Sequence, residues 1–427
     1  MARFDTLSGW LEWQEGFHPR SIDLGLERAA SVFKALNPEG IKPPTIIVAG
    51  TNGKGSCIAF LESIYKAQGY RVGAYTSPHI LRYNERIKID GKPVADAMIC
   101  QAFERIDAVR NEVSLSYFEF GTLAALDIFW RSELDVQLLE VGLGGRLDAV
   151  NIIDSDVSFI TSISIDHIDW LGETREAIGY EKAGIFRQNI PAVIGDINPP
   201  DSLLKVAHEN NTPLLKINHQ FDFYVNRDGT WDWISNVHEQ RKYSSLPEPK
   251  LKGGHQLRNA SSALMAITQM QEMLPVSEVF IHKGLQNVQL KGRFQLVEGA
   301  IPVLLDVAHN PQAVRVLLDY LLDQFADKKI YAVFSMMKDK DVKGVINIIK
   351  PVIHHWFIAP LATPRTASQS FMKDCFSLCE LNNVNFDYRD FLEAYYAAEN
   401  HAESGDLILI FGSFFLVSEY LAKIENS

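Results

Sequence analysis

The sequence predicts an α/β protein of two domains, each built on a mainly parallel sheet. Three observations carry this prediction. Short β-branched runs alternate with helix-period segments along most of the chain. A loop of glycines and a lysine joins the first of these runs to a helix. A second strand–helix series begins near residue 301, after a turn-rich stretch. With 427 residues and about 100–200 per domain, two or three domains are expected. The boundary is placed in QLKGRFQ (289–295), giving an N-terminal domain over 1–290 and a smaller one over 291–427.

The N-terminal domain is read from its apolar runs. Strands are expected at 45–49, 71–75, 135–141, 157–163 and 191–195, with helices at 56–68, 96–111, 117–131 and 201–210. FDFYVNRDGTWDWI (221–234) alternates about an Asp-Gly turn and predicts a hairpin. LPEPKLKGGHQLRN (246–259) reads as a turn-rich loop leading into a further helix. The second series places strands at 301–305, 329–335, 354–359 and 406–412, with helices between them. No repeat at solenoid spacing and no low-complexity tract is found.

Composition narrows the function. Apolar residues make up 47% and charged residues 22%, as in ordinary globular proteins. The net charge of −12 argues against a general nucleic-acid binder. The first residues lack the apolar core of a signal peptide. The apolar run LILIFGSFFLV (407–417) falls short of the ~20 residues a membrane span needs. Cys57, Cys100, Cys375 and Cys379 lack metal-type spacing and are read as reduced thiols. The expectation is a cytoplasmic protein.

TIIVAGTNGKGSCIAF (45–60) has the grammar of a phosphate-binding loop, a strand, then Gly50, Gly53, Lys54 and Gly55, then a helix. The first domain is therefore of P-loop type. The hydroxyl of Ser56 comes one residue later than in the usual pattern. Glycines let successive N–H groups turn inward as an anion nest, and the helix N-terminus adds its dipole. In open parallel sheets ligands bind beyond the carboxyl ends of the strands. Those ends offer Ser77 and His79 in TSPH, Glu140, and Asp166, His167 and Asp169. An oxygen-rich set suits Mg²⁺, although spacing alone does not choose the metal, and His167 alone reads as a structural histidine. On spacing alone, Lys182 in GYEKAGIFR pairs with Glu181 on a helix surface.

TNGKGS, SPH, Arg86 in YNERI, LEVGLGGRLDAVN, DHIDWLG, EKAGIF, GRFQ and DVAHNP stand in this order along the chain. In this the sequence resembles the folylpolyglutamate synthases, ATP-dependent amide-forming enzymes of the Mur ligase superfamily. IDLGLER (22–28) is similar to the bacterial bifunctional type, which also has dihydrofolate synthase activity. The resemblance runs from about residue 8 to 420 and implies a smaller, Rossmann-like C-terminal α/β domain.

By that resemblance, Gly50, Thr51, Asn52, Gly53, Lys54, Gly55 and Ser56 form the phosphate loop, and the displaced hydroxyl is the family's own variant. Asn259, Arg293 and Asp306 match further ATP contacts. Ser77, Glu140 and His167 match magnesium ligands. Lys182 matches a lysine the family carbamylates, which would then hold a second Mg²⁺ and overturn the surface-pair reading. Arg86, His309 and Ser413 match the glutamate site, with His309 either positioning the amine or holding the carboxylate. Asp23, Leu24, Gly25 and Arg28, with Ser116, Phe118 and Asp148, match the pterin site. Val150 stands where relatives often have Thr, and Arg258 has no assigned role.

The implied activity is ligation of L-glutamate to dihydropteroate and to the γ-carboxylate of reduced folates, by a monomer. Rivals are a peptidoglycan-precursor ligase, a monofunctional folylpolyglutamate synthase, and a nucleotide switch without ligase chemistry.

Overall fold

The computed structural model describes residues 3–20, 22–37, 42–237, 241–361, 363 and 365–425. The chain divides into two compact units, the first comprising residues 1–250 and 257–289 and the second residues 251–256 and 290–427.

The first unit carries an eight-stranded sheet. Its strands are β1 (Thr45–Ala49), β2 (Val72–Tyr75), β3 (Ile87–Ile89), β4 (Lys92–Pro93), β5 (Val136–Glu140), β6 (Val157–Ile160), β7 (Ala192–Ile194) and β8 (Leu214–Lys216). They lie in the order β4-β3-β2-β5-β1-β6-β7-β8. β2, β5, β1, β6, β7 and β8 are parallel, while at one edge β3 pairs antiparallel with β2 and β4 antiparallel with β3. β1 and β5 are buried at every residue, as strands covered on both faces should be. The chain leaves β1 toward β2 on one side and later returns to β6 on the other. The loop after β1 therefore stands at a topological switch point, where such sheets bind ligands.

The helix Tyr117–Trp130 packs in the core beside this sheet, with Phe120, Leu123, Leu126 and Phe129 fully buried. The expected hairpin forms from β9 (Phe221–Val225) and β10 (Trp231–Ser235). β11 (Lys242–Leu246) extends it to three strands, which the sequence reading missed. The turn-rich segment 246–259 already becomes helical at His255, at the start of the helix His255–Gln269.

The second unit holds β12 (Gln295–Val297), β13 (Val303–Asp306), β14 (Ile330–Phe334), β15 (Ile353–Ile358), β16 (Val384–Asn385) and β17 (Leu407–Phe411). Their order is β12-β13-β17-β14-β15-β16. All neighbours pair in parallel except β12 with β13. A separate core of Leu304, Phe334, Trp356, Phe376, Leu409 and Phe411 lies within this unit. All four cysteines are buried free thiols. Among the described residues, no helix is long and apolar enough to cross a membrane.

Candidate functional site

The segment after β1 folds as a loop pinned from the neighbouring strand end. Thr51 N donates to Ser162 O at 2.7 Å, and Asn52 N to Ser162 Oγ at 3.2 Å. The carbonyl of Asn52 accepts from Thr161 Oγ1 at 2.7 Å and from Ser162 Oγ at 3.1 Å. These contacts explain why β6 ends at Ile160 rather than at 163, because the hydroxyl residues that follow hold the loop. Gly53, at φ 90°, caps the helix Lys54–Gln68, a backbone conformation that glycine adopts without strain. A side chain there would meet Asn259, whose Oδ1 lies 3.0 Å from the Cβ position. Asn259 thus sits against the loop, with Ser56 buried in the helix's first turn.

Two lysines converge on one carbonyl. Lys54 Nζ donates to Gly50 O at 3.0 Å and to Thr51 O at 3.2 Å. Lys182 Nζ donates to the same Gly50 O at 2.9 Å, across 132 residues of sequence. Lys182 is 4% exposed, so the surface pair with Glu181 expected from spacing does not form. Glu181 instead pairs with Arg146 at 2.8 Å. Burial, and then the neighbouring Lys54 charge, push the Lys182 amine down to about 7.

The other strand ends meet this edge. Glu140, the last residue of β5, is 5% exposed and accepts from Ser77 N at 3.1 Å. Asp148 is 2% exposed, accepting from Leu143 N at 2.8 Å and from Val150 N at 3.0 Å. Burial pushes its carboxyl up to about 6, against the pull of those N–H groups and of Lys54. Val150, where relatives often carry a hydroxyl, is fully buried and serves Asp148 through its backbone. His167 has φ 53° and caps the short helix Ile168–Leu171, with its N–H on Asp166 Oδ1 at 2.8 Å. Among the described residues no three His, Cys, Asp or Glu side chains gather as a metal cluster. The expected set has two such groups, Glu140 and His167, and one hydroxyl, Ser77.

The 22–28 segment lies beside the Asp148 loop, since Gly25 N donates to Leu147 O at 3.2 Å. Arg28 ties it together, reaching Asp23 Oδ2 at 3.0 Å and Glu119 Oε1 at 3.1 Å. Leu24 falls between these anchors in the same segment. Ser116 caps the helix Tyr117–Trp130, its Oγ accepting from Glu119 N at 3.3 Å while Glu119 Oε2 takes Ser116 N at 2.7 Å. Phe118 packs against Gly142 and lies 6.1 Å from the Tyr75 ring. Arg86 donates from Nε to His79 Nδ1 at 2.9 Å, and its guanidinium carbon lies 5.4 Å from both the Tyr83 and Tyr117 rings. Burial and the Arg86 charge push His79 down to about 4.

In the second unit, Asp306 ends β13 and accepts from Phe294 N at 3.1 Å and from Ala308 N at 2.8 Å. Burial raises its carboxyl above the usual range, while Arg293 pulls the other way. The Arg293 guanidinium lies 5.3 Å from the Phe414 ring. His309 Nδ1 lies 2.9 Å from Val307 O. A carbonyl only accepts, so Nδ1 carries the proton and Nε2 keeps its lone pair in the neutral ring. Ser413 is buried and accepts from Leu416 N at 3.1 Å.

Family models match both units. The Mur ligase middle domain matches residues 48–267, and the Mur ligase glutamate ligase domain matches 292–414. The dihydrofolate synthase/folylpolyglutamate synthase of Escherichia coli (strain K12) is 39% identical over 422 residues, covering 98% of this chain and 96% of that protein. The chain belongs to the dihydrofolate synthase/folylpolyglutamate synthase family of Mur ligases. Members of this family are ATP-dependent ligases. A solved structure of E. coli FolC in complex with DHPP and ADP superposes with a TM-score of 0.92 at 38% identity, covering 99% of this chain and 98% of the other. A bifunctional folylpolyglutamate synthase/dihydrofolate synthase with Mn, AMPPNP and L-glutamate bound gives a TM-score of 0.90 at 41% identity, over 99% and 98% of the two chains.

Within this family member, several residues escaped the sequence reading. Thr161 and Ser162 buttress the glycine loop after β1, and Glu119 joins Arg28 to the helix cap. The S-x-x-E spacing from Ser116 to Glu119 is a capping-box signature and was readable. His18, which holds Asp23 Oδ2 at 3.1 Å and Ser114 Oγ at 2.9 Å, gave no local signal because one of its partners lies 96 residues away.

Proposed function

We propose that this protein uses ATP to join L-glutamate to dihydropteroate, giving dihydrofolate, and to the γ-carboxylate of reduced folates. The single observation that carries this reading is the meeting of Lys54 and Lys182 on Gly50 O, within a glycine loop at the carboxyl edge of a parallel sheet. That arrangement sets the Lys54 charge and the loop N–H groups where a nucleotide's phosphates would lie, with Lys182 beside them.

A carboxylate is a poor acyl donor because oxide would have to leave. In the proposed first step a carboxylate oxygen of the acid attacks the γ-phosphorus, the bond to the ADP oxygen breaks, and an acyl phosphate forms. In the second step the neutral amine of glutamate attacks the acyl carbon. The amide forms, phosphate leaves with one oxygen of the original acid, and the amine loses a proton. Two anions approach each other in the first step. Lys54 and the loop N–H groups offset that repulsion and stabilise the charge on the transferring group. The His309 ring, oriented by the bond from Nδ1 to Val307 O, is suited to position the amine or, in its neutral form, to take its proton. Arg86 and Ser413 complete the glutamate site in this reading, Asn259, Arg293 and Asp306 the nucleotide site, and Asp23, Leu24, Gly25, Arg28, Ser116, Phe118 and Asp148 the pterin site.

The donor set fits a hard divalent cation. The carboxylate of Glu140 is buried next to the Ser77 N–H, and oxygen donors of this kind suit Mg²⁺. Ser77, Glu140 and His167 would hold it, and it would supply charge neutralisation to the phosphates. Lys182 is read as carbamylated. Its buried amine is depressed to about 7, so above neutral pH much of it is unprotonated and able to add CO₂ with loss of one proton. The carboxylate so formed would hold a second cation. Lys182→Ala should lose most activity, and added acetate should restore part of it. No rescue by acetate, with folding intact, would argue for an amine rather than a carboxylate at this position.

The experiment that tests the reaction uses ¹⁸O-labelled dihydropteroate carboxylate with ATP and L-glutamate. Labelled oxygen is expected in the released phosphate. Turnover without label transfer would overturn the acyl phosphate.

A further inference from the structure

His79 closes the TSPH segment, and no step described above uses it. Its Nδ1 lies 2.9 Å from Nε of Arg86. A guanidinium only donates, so Nδ1 is the acceptor and the neutral ring carries its proton on Nε2. The ring stands edge-on to Tyr83 at 5.9 Å and 61°. Arg86 also lies against both Tyr83 and Tyr117, which meet edge to face at 5.7 Å, each ring 5.4 Å from its guanidinium carbon. One acceptor and two aromatic walls fix this cation in place.

The nearest carboxylate in sequence does not neutralise it. Glu85 is consumed by backbone donors, accepting from Ile80 N at 2.7 Å, Leu81 N at 3.1 Å and Arg82 N at 3.2 Å. Among the described residues, no carboxylate pairs with Arg86 and neither of its Nη groups makes a hydrogen bond. Arg86 is half-buried, and a partly desolvated guanidinium with open donors is a site for an anion.

A guanidinium offers a carboxylate two forks. The side-on fork uses Nε–H with one Nη, and the end-on fork uses both Nη groups. The bond to His79 occupies Nε–H, so only the end-on fork remains open. We propose that His79 is a positioning residue that makes Arg86 grip the carboxylate of the incoming amino acid end-on, and so sets which dicarboxylic amino acid fits. This rests on the reading that Arg86 holds glutamate.

The test compares three variants of the full-length protein under saturating dihydropteroate and ATP. His79→Phe keeps a ring against Tyr83 but has no lone pair. His79→Asn places an amide oxygen close to the former Nδ1. Arg86→Ala removes the grip itself. A hydrogen bond to a charged group that is lost on truncation is worth about 10–100-fold in affinity. His79→Phe should therefore raise KM for L-glutamate by about that factor, with kcat and the KM for dihydropteroate changed far less. With Nε–H released, the preference for L-glutamate over L-aspartate in kcat/KM should fall. His79→Asn should restore most of both quantities, a rescue that a purely structural role would not give. Should His79→Phe fail to fold, His79→Leu gives the same reading. If Arg86→Ala raises the glutamate KM while His79→Phe leaves both KM and selectivity unchanged, the inference about His79 falls and the reading of Arg86 stands. If Arg86→Ala itself leaves the glutamate KM unchanged, the reading of Arg86 falls, and this inference with it.

Discussion

At Gly50 a methyl group has nowhere to go. Its φ is 149°, and an added Cβ would lie 1.9 Å from Thr161 Oγ1 and 3.1 Å from Thr161 N. The carbonyl of the same residue holds both Lys54 and Lys182. Overpacking of this kind costs about 1–3 kcal/mol, which a domain of this size tolerates, but the loop must shift to relieve it. Gly50→Ala should therefore fold, with ADP affinity reduced by about 100-fold in calorimetric titration. Asp148 gives a second prediction at this scale. Its folded pKa is about 6, above the unfolded value of ~3.9. Between these values the folded protein binds more protons than the unfolded chain, so stability falls as pH rises from about 4 to about 6. Above pH 6 the full penalty applies, about 3 kcal/mol. Urea melts should show that loss in the natural protein and its absence in Asp148→Asn. The glycine loop between β1 and the helix Lys54–Gln68 was legible because strand, glycines, lysine and helix are consecutive. The place of Lys182 was not legible from spacing, because its partner is Gly50, far off in the sequence. The resemblance, not the local pattern, pointed to it.

Among the elements, the helix Tyr117–Trp130 shows how a residue proposed for the pterin site can serve the fold. Ser116 begins this helix with a reciprocal cap to Glu119, and Arg28 braces Glu119 from the 22–28 segment. Losing such a cap costs about 1 kcal/mol. Ser116→Ala should lower stability by that amount in chemical denaturation, and should raise KM for dihydropteroate more than KM for ATP, because the frayed turn carries Phe118. Elements were legible where burial is continuous. β1, β5, β14 and β17 are buried at every residue and stand within a residue or two of their expected limits. β3, β4, β8, β12 and β16 have two or three residues each, too few for a period to show. The early helices Leu7–Phe17 and Glu27–Leu36 were also missed. The first has no acidic residue in its first turn and the second no side-chain cap, so the usual start signals are incomplete.

For the molecule as a whole, each unit has its own sheet and its own buried core. Such units are expected to unfold with separate cooperativity. Trp356 offers a way to measure this. It is fully buried, with edge contacts to Phe334 at 5.3 Å and Phe376 at 5.1 Å. Trp→Ala in a core costs about 3–5 kcal/mol. Among the described residues the Trp356 indole N–H has no hydrogen-bond partner, so truncation also removes an unsatisfied donor. That places the expected cost near the lower limit, about 3 kcal/mol. In native-state hydrogen exchange, Trp356→Ala should speed exchange in β13, β14 and β17 and leave β1, β5 and the helix Lys54–Gln68 at their original rates. ADP should slow exchange around Gly50–Cys57 in the natural protein and in Trp356→Ala alike. If the substitution sped exchange equally in β1, the two cores would be one cooperative unit, and stability in the nucleotide loop would depend on packing throughout the chain.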